Sequence, residues 1–188
     1  MSYNPNDILG GGAWTFIEGV TISNQATVEF DLTGTYKAYA VHLTNIVPIT
    51  DDIRLDMRYS VDGGSTFFSG SSDYSNLLLG TSATVNASSI DPVAGEITIG
   101  PAGVGQKMGT ATAESLNGTV WINNPSQSTK PTFATFEIAL VGASGNVTSF
   151  FGGGFNDENI DEVDAIQLYA FSGNLSTGRM ELYGLSIP

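Results

Sequence analysis

Cysteine is absent from this 188-residue chain, histidine occurs once, and lysine and arginine together number six. Without cysteine there is no disulfide, no thiolate-held metal and no redox pair. With one imidazole, His42, the material for proton-transfer chemistry is thin. The six cations (Lys37, Arg54, Arg58, Lys107, Lys130 and Arg179) are scattered among 19 acids, for a net charge of −13. Phosphate backbones and anionic membrane surfaces both demand clustered cations, so nucleic acid and membrane insertion are disfavoured as partners. No apolar run approaches the length of a membrane-spanning helix. The opening Met1-Ser2-Tyr3-Asn4-Pro5-Asn6-Asp7 lacks a basic region followed by an apolar one, so it does not read as a secretory signal.

What is present is pattern. The apolar share is 41 %, enough for a core, and the length fits one domain. Gly10-Gly11-Gly12 closes an N-terminal arm of residues 1–12, and residues 13–188 form the domain. Strand signals then recur to the end. They cover Trp14–Val20, Thr27–Leu32, Ala38–Val47, Ile53–Val61, Glu96–Ile99, Thr119–Ile122, Thr132–Val141, Val147–Phe151, Ala165–Phe171 and Arg179–Leu185. Ile53–Val61 has the strictest alternation. It sets Ile53, Leu55, Met57, Tyr59 and Val61 on a buried face and Arg54, Asp56, Arg58 and Ser60 on a wet one. Asp73–Gly80, with three consecutive leucines, fits either a strand or a helical turn, and Gly100–Gly109 reads as loop. Ser172-Gly173-Asn174 joins the last two strands with residues tolerant of positive φ. Thr, Val, Phe and Tyr dominate the periodic segments, and no amphipathic helix of ordinary length survives. About ten short strands separated by turns predict an all-β, antiparallel, jelly-roll-like sandwich.

Candidate chemistry is sparse. Ser60-Val61-Asp62-Gly63-Gly64-Ser65-Thr66-Phe67 matches the S-x-D-x-G-x-T-F turn of sialidase-type propellers, where it braces a hairpin. Asp62 is placed to accept hydrogen bonds from the turn, while Gly63 and Gly64 permit its φ values. His42 lies in a strand, and no G-x-S-x-G elbow accompanies it. The acidic run Asn156–Asp164 lacks the spacing of an EF-hand loop and reads as a solvated loop. Neither metal nor cofactor is expected. Trp14, Trp121, Tyr74, Phe150, Phe151 and Phe155 offer flat rings for a sugar platform. Tyr74 and Phe155, flanked by polar and glycine residues, are the least core-like of them.

A family resemblance runs through spaced motifs. They are Gly12-Ala13-Trp14-Thr15-Phe16-Ile17, Thr35-Tyr36-Lys37-Ala38-Tyr39, Ile46-Val47-Pro48-Ile49-Thr50-Asp51 and Leu55–Phe67. Gly118-Thr119-Val120-Trp121-Ile122-Asn123-Asn124-Pro125, Val163-Asp164-Ala165-Ile166, Phe171-Ser172-Gly173-Asn174-Leu175 and Leu182-Tyr183-Gly184-Leu185 complete them. Together they resemble the small tail-fibre-like proteins of tailed bacteriophages and prophages. The resemblance implies a non-enzymatic virion structural protein with a β-sandwich fold, trimeric, made in the host bacterial cytoplasm and carried on the particle. It leaves a tail-fibre or receptor-binding role and a capsid-decoration or head-fibre role equally open. On this reading the arm residues Asn4, Pro5, Ile8 and Leu9 dock on other virion proteins while the sandwich projects. The alternative is a carbohydrate-binding or glycosidase-related sandwich that reads host surface glycan through Tyr74 and Phe155.

Overall fold

Twelve strands in two antiparallel sheets make up the protein in a computed structural model that describes residues 13–32, 34, 36–82, 86–100, 107–157 and 161–186. The strands are β1 (Trp14–Gln25), β2 (Thr27–Asp31), β3 (Ala38–Pro48), β4 (Leu55–Ser60), β5 (Tyr74–Ser82) and β6 (Asn86–Ala94). They continue with β7 (Ile97–Thr98), β8 (Ser115–Asn123), β9 (Phe133–Val141), β10 (Val147–Asn156), β11 (Ala165–Ala170) and β12 (Leu175–Leu185). The larger sheet has the order β1-β12-β3-β8-β9-β10-β5-β6, and the smaller has β2-β11-β4-β7. The fold is an all-β sandwich, and no helix occurs among the described residues.

The pairings nest. β1 pairs with β12, β2 with β11, β3 with β8, β4 with β7 and β5 with β6, each successive pair lying in the opposite sheet. This is a long ribbon of strand pairs rolled up, the jelly-roll connectivity. The hairpins β5–β6 and β9–β10 both add to the larger sheet, which therefore has eight strands against four.

Alternation explains each strand. In β9, Ala134, Phe136, Ile138 and Leu140 point inward while Phe133, Thr135, Glu137 and Ala139 face out. The inward rows of both sheets join into one core that includes Phe30, Tyr39, Leu43, Leu55, Met57, Phe136, Ile166 and Leu182. Each fully buried side chain of this size contributes about 1.5–3 kcal/mol relative to exposure. The leucine-rich segment left open between strand and turn is the strand β5. Leu78 points into the core, and Leu77 and Leu79 point away from it.

One expectation changes. The second face of Ile53–Val61 is not wet. Asp56 and Ser60 are fully buried, and Arg54 and Arg58 are half-buried. Neighbouring strands cover that face: Arg54 lies 3.9 Å above the Phe171 ring and Arg58 lies 4.8 Å above Tyr169. The strands on either side of Ser172-Gly173-Asn174 do not pair with each other. β11 belongs to the smaller sheet and β12 to the larger, so this link crosses the sandwich, with Gly173 at a φ of 75°.

Candidate binding face

The outward side of the eight-stranded sheet is built by register. Phe16, Tyr183, Ala40, Trp121, Thr135, Gly153, Leu77 and Ile90 are successive Cα partners across all eight strands. Opposed residues in an antiparallel ladder share a face, so these eight form one transverse row with no charge in it. Phe16 and Tyr183 meet edge to face with ring centres 5.6 Å apart. The adjacent row is polar at its centre, running Glu181, His42, Thr119 and Glu137, and then turns apolar at Phe151 and Leu79.

The described residues include eleven exposed large apolar side chains, and eight of them project from this face: Trp14, Phe16, Leu77, Leu79, Ile90, Phe133, Val147 and Phe151. Ile90 is 75 % exposed and Phe151 51 %. Such a concentration makes this face the candidate contact surface. The first six residues of β1, an edge strand, are exposed as well, a template for pairing with another chain.

The row dips at Gly152-Gly153-Gly154, where an apolar groove of about 510 Å³ opens. Phe133 and Phe155, 5.0 Å apart, form one wall, and Leu77 and Ile90 form the other. Gly153 keeps the floor low. A Cβ there would come within 2.6 Å of the Ala134 carbonyl oxygen, so any side chain would force β9 and β10 apart. Ser75, hydrogen-bonded to Asp157, lies at one end.

The sugar platform is half corrected. Phe155 does line the groove, half-exposed. Tyr74 does not. It is fully buried, its hydroxyl accepting from the Tyr59 amide at 2.8 Å and donating to the Phe68 carbonyl at 3.3 Å. Its polar flanks misled the reading because Tyr74, the first residue of β5, packs against the Tyr59 ring, and burial pushes its phenol well above the ordinary range. Asn4, Pro5, Ile8 and Leu9 lie outside the described residues.

The turn after β4 is held as a closed circuit. Asp62 accepts from the Thr66 amide at 2.9 Å, the Thr66 hydroxyl at 2.7 Å and the Ser60 hydroxyl at 2.8 Å. The Thr66 hydroxyl, then its amide, holds the Asp62 carboxyl below the usual range. Gly63 and Gly64 sit at φ of 70° and 77°, and the Gly63 amide donates to Asp164 at 2.8 Å, tying the turn to the end of the acidic run. His42 is exposed, with Nδ1 3.2 Å from the Thr119 hydroxyl. Among the described residues no three His, Cys, Asp or Glu side chains converge to hold a metal ion.

The smaller sheet carries the main charge cluster. Arg54 contacts both oxygens of Asp56 at 2.9 and 3.0 Å and Glu96 at 2.5 Å, and Arg58 reaches Glu96 at 3.2 Å and the Gly95 carbonyl at 3.2 Å. Removal from water pushes the Asp56 carboxyl up to about 7, outweighing the pull of Arg54. Arg54, just before β4, and Asp56 and Arg58 within it thus form a charge cluster with Glu96, which leads into the short β7.

Sequence reasoning passed over Phe133, Leu77, Leu79, Ile90 and Tyr183. One signal was available: consecutive apolar residues within a strand, as at Leu77-Leu78-Leu79 and Phe150-Phe151, make both faces apolar. No family model, curated protein or solved structure matches the chain.

Proposed function

We propose that this protein is a non-enzymatic structural component of a tailed-bacteriophage virion, displayed on the particle as a homotrimer and acting by protein–protein attachment. A tail-fibre or receptor-binding module and a capsid decoration fit equally. The observation that carries the reading is the gathering of eight exposed large apolar side chains on one sheet face of an otherwise strongly acidic chain. Net charge of −13 keeps the rest of the surface soluble and repels like molecules, so association is confined to the face where charge is sparse. The rolled β-sandwich and the resemblance of the spaced motifs to those of tail-fibre-like proteins support the same reading. Asn4, Pro5, Ile8 and Leu9 serve as the docking arm.

Solution mass at micromolar concentration tests the oligomer: three times the 19.7 kDa chain is expected, and a clean monomer counts against it. Purified particles tested for this chain, with and without residues 1–12, test attachment. Decoration that survives the truncation unchanged removes the docking arm.

The Phe133–Phe155 pair beside Ser75 and Thr135 favours a second reading, a host-glycan subsite in the groove. Titration of host surface polysaccharide against the intact protein and Phe155→Ala separates the two, because unchanged affinity removes the ring as a platform.

A further inference from the structure

The polar centre of the outer face holds a second cavity. Asn117, Thr119 and Trp121 alternate along β8, so all three project from the outward side. Glu137 on β9 is the Cα partner of Thr119, and Ser149 on β10 lies in the same row as Asn117, across Ala139. Together they line a cleft of about 370 Å³ that spans β8, β9 and β10. Gly118 lets the first two strands close beneath it, because a Cβ there would strike the Glu137 carbonyl oxygen.

Three features of this cleft select a planar cation. Its one charged side chain is the exposed carboxylate of Glu137, which has neither hydrogen bond nor ion pair among the described residues. Glu181, further along the same row, is instead held by Arg179 at 2.8 Å. The hydroxyl oxygens of Thr119 and Ser149 add acceptors, and Trp121, half-buried, supplies a flat ring of the kind that best attracts cations. A guanidinium matches all three, since it is planar, stacks on aromatic faces and carries five donors. Phe151 adjoins Glu137 in the row, so a pair made there is partly shielded from water. Net charge of −13 draws a cationic partner to this chain. A second copy has no guanidinium to give. Arg54, Arg58, Lys107 and Arg179 are each committed to an ion pair, and the remaining cations, Lys37 and Lys130, are both lysines.

We propose that this cleft seats an arginine of the protein to which the chain attaches, its guanidinium paired with Glu137 and stacked on Trp121. The inference rests on the attachment reading and adds the chemistry of the partner.

Four small probes, titrated into the isotope-labelled full-length protein while amide signals are followed, test it. They are capped Gly-Arg-Gly, capped Gly-Lys-Gly, the uncharged isostere Gly-citrulline-Gly, and methyl glucoside. The arginine peptide should shift Thr119, Trp121, Glu137 and Ser149 and leave Glu29 and Gln167 on the opposite sheet in place. The lysine peptide should bind more weakly, and the citrulline peptide and the glucoside should shift none of these residues. Glu137→Gln, an exposed and conservative change, should weaken the arginine peptide about fivefold. Trp121→Thr should weaken it about three- to fivefold. Absent shifts, citrulline or lysine binding as tight as arginine, or affinity unchanged in Glu137→Gln overturns the proposal. Shifts at the cleft from the glucoside overturn it too, and assign the cavity to a saccharide. No probe contains a particle or a trimer partner, so the attachment reading fails only on its own test.

Discussion

Asp56 should make folding less favourable as the solution becomes more alkaline, opposite to an ordinary salt-bridged carboxylate. Its oxygens sit against Arg54 Nε at 2.9 and 3.0 Å, yet the residue is fully buried and its carboxyl is pushed up to about 7 from 3.8. The groups facing it are Arg54 just before its own strand, Glu96 beside β7, Thr98 within it, and Tyr169 from β11. Between the two pKa values the folded state holds a proton that the unfolded chain has released. Stability from this residue is therefore complete below the unfolded value and is lost as pH rises through the folded one. At about 1.36 kcal/mol per pH unit the loss totals about 4 kcal/mol. About 3 kcal/mol of it falls between about pH 5 and pH 8, clear of the isoelectric point near 4.1. Urea unfolding of the native protein and Asp56→Asn across about pH 5 to 8 isolates the effect, because every other titrating group is common to both. The native-minus-variant stability should fall by about 3 kcal/mol as pH rises. Parallel profiles, or a gap moving the other way, would show that Arg54 outweighs burial and refute the reasoning.

Other outcomes follow from single contacts. Tyr74→Phe keeps the ring but leaves the buried Tyr59 amide without its acceptor, and should cost about 1–3 kcal/mol in urea unfolding while leaving saccharide affinity unchanged. Phe136→Ala, in the centre of β9, should cost about 3–5 kcal/mol by the same measurement. Phe151→Ser, in contrast, removes a half-exposed ring and should barely move monomer stability. It should weaken self-association about five- to tenfold in sedimentation equilibrium, the equivalent of burying the exposed half of one phenylalanine.

Fold class was legible because alternation is a local property: Phe136, Ile138 and Leu140 on β9 announce their face without reference to any partner strand. The nesting of pairs was less so, since which strand meets which depends on contacts far apart in sequence. The Arg54–Arg58 face shows the limit most clearly. Its alternation is that of a half-wet strand, yet Phe171 and Tyr169, more than a hundred residues away, close over it. Tyr74 was misjudged because its immediate neighbours are polar, although Tyr59 and Phe68, 15 and 6 residues away, hydrogen-bond its hydroxyl. The turn at Asp62 was readable because six of its hydrogen bonds stay within the seven residues Ser60–Thr66. The candidate face was not, because a row across eight strands has no counterpart in the linear order.

The slot occupied by β12 has a consequence for biosynthesis. It lies between β1 and β3, and 150 residues separate Gln25 from Leu175. While the chain is emerging from the ribosome, β1 has no neighbour to zip against and β3 lacks one side. Closure of the larger sheet must wait for a late segment to enter the gap between two early ones, a long-range pairing of the kind that slows folding.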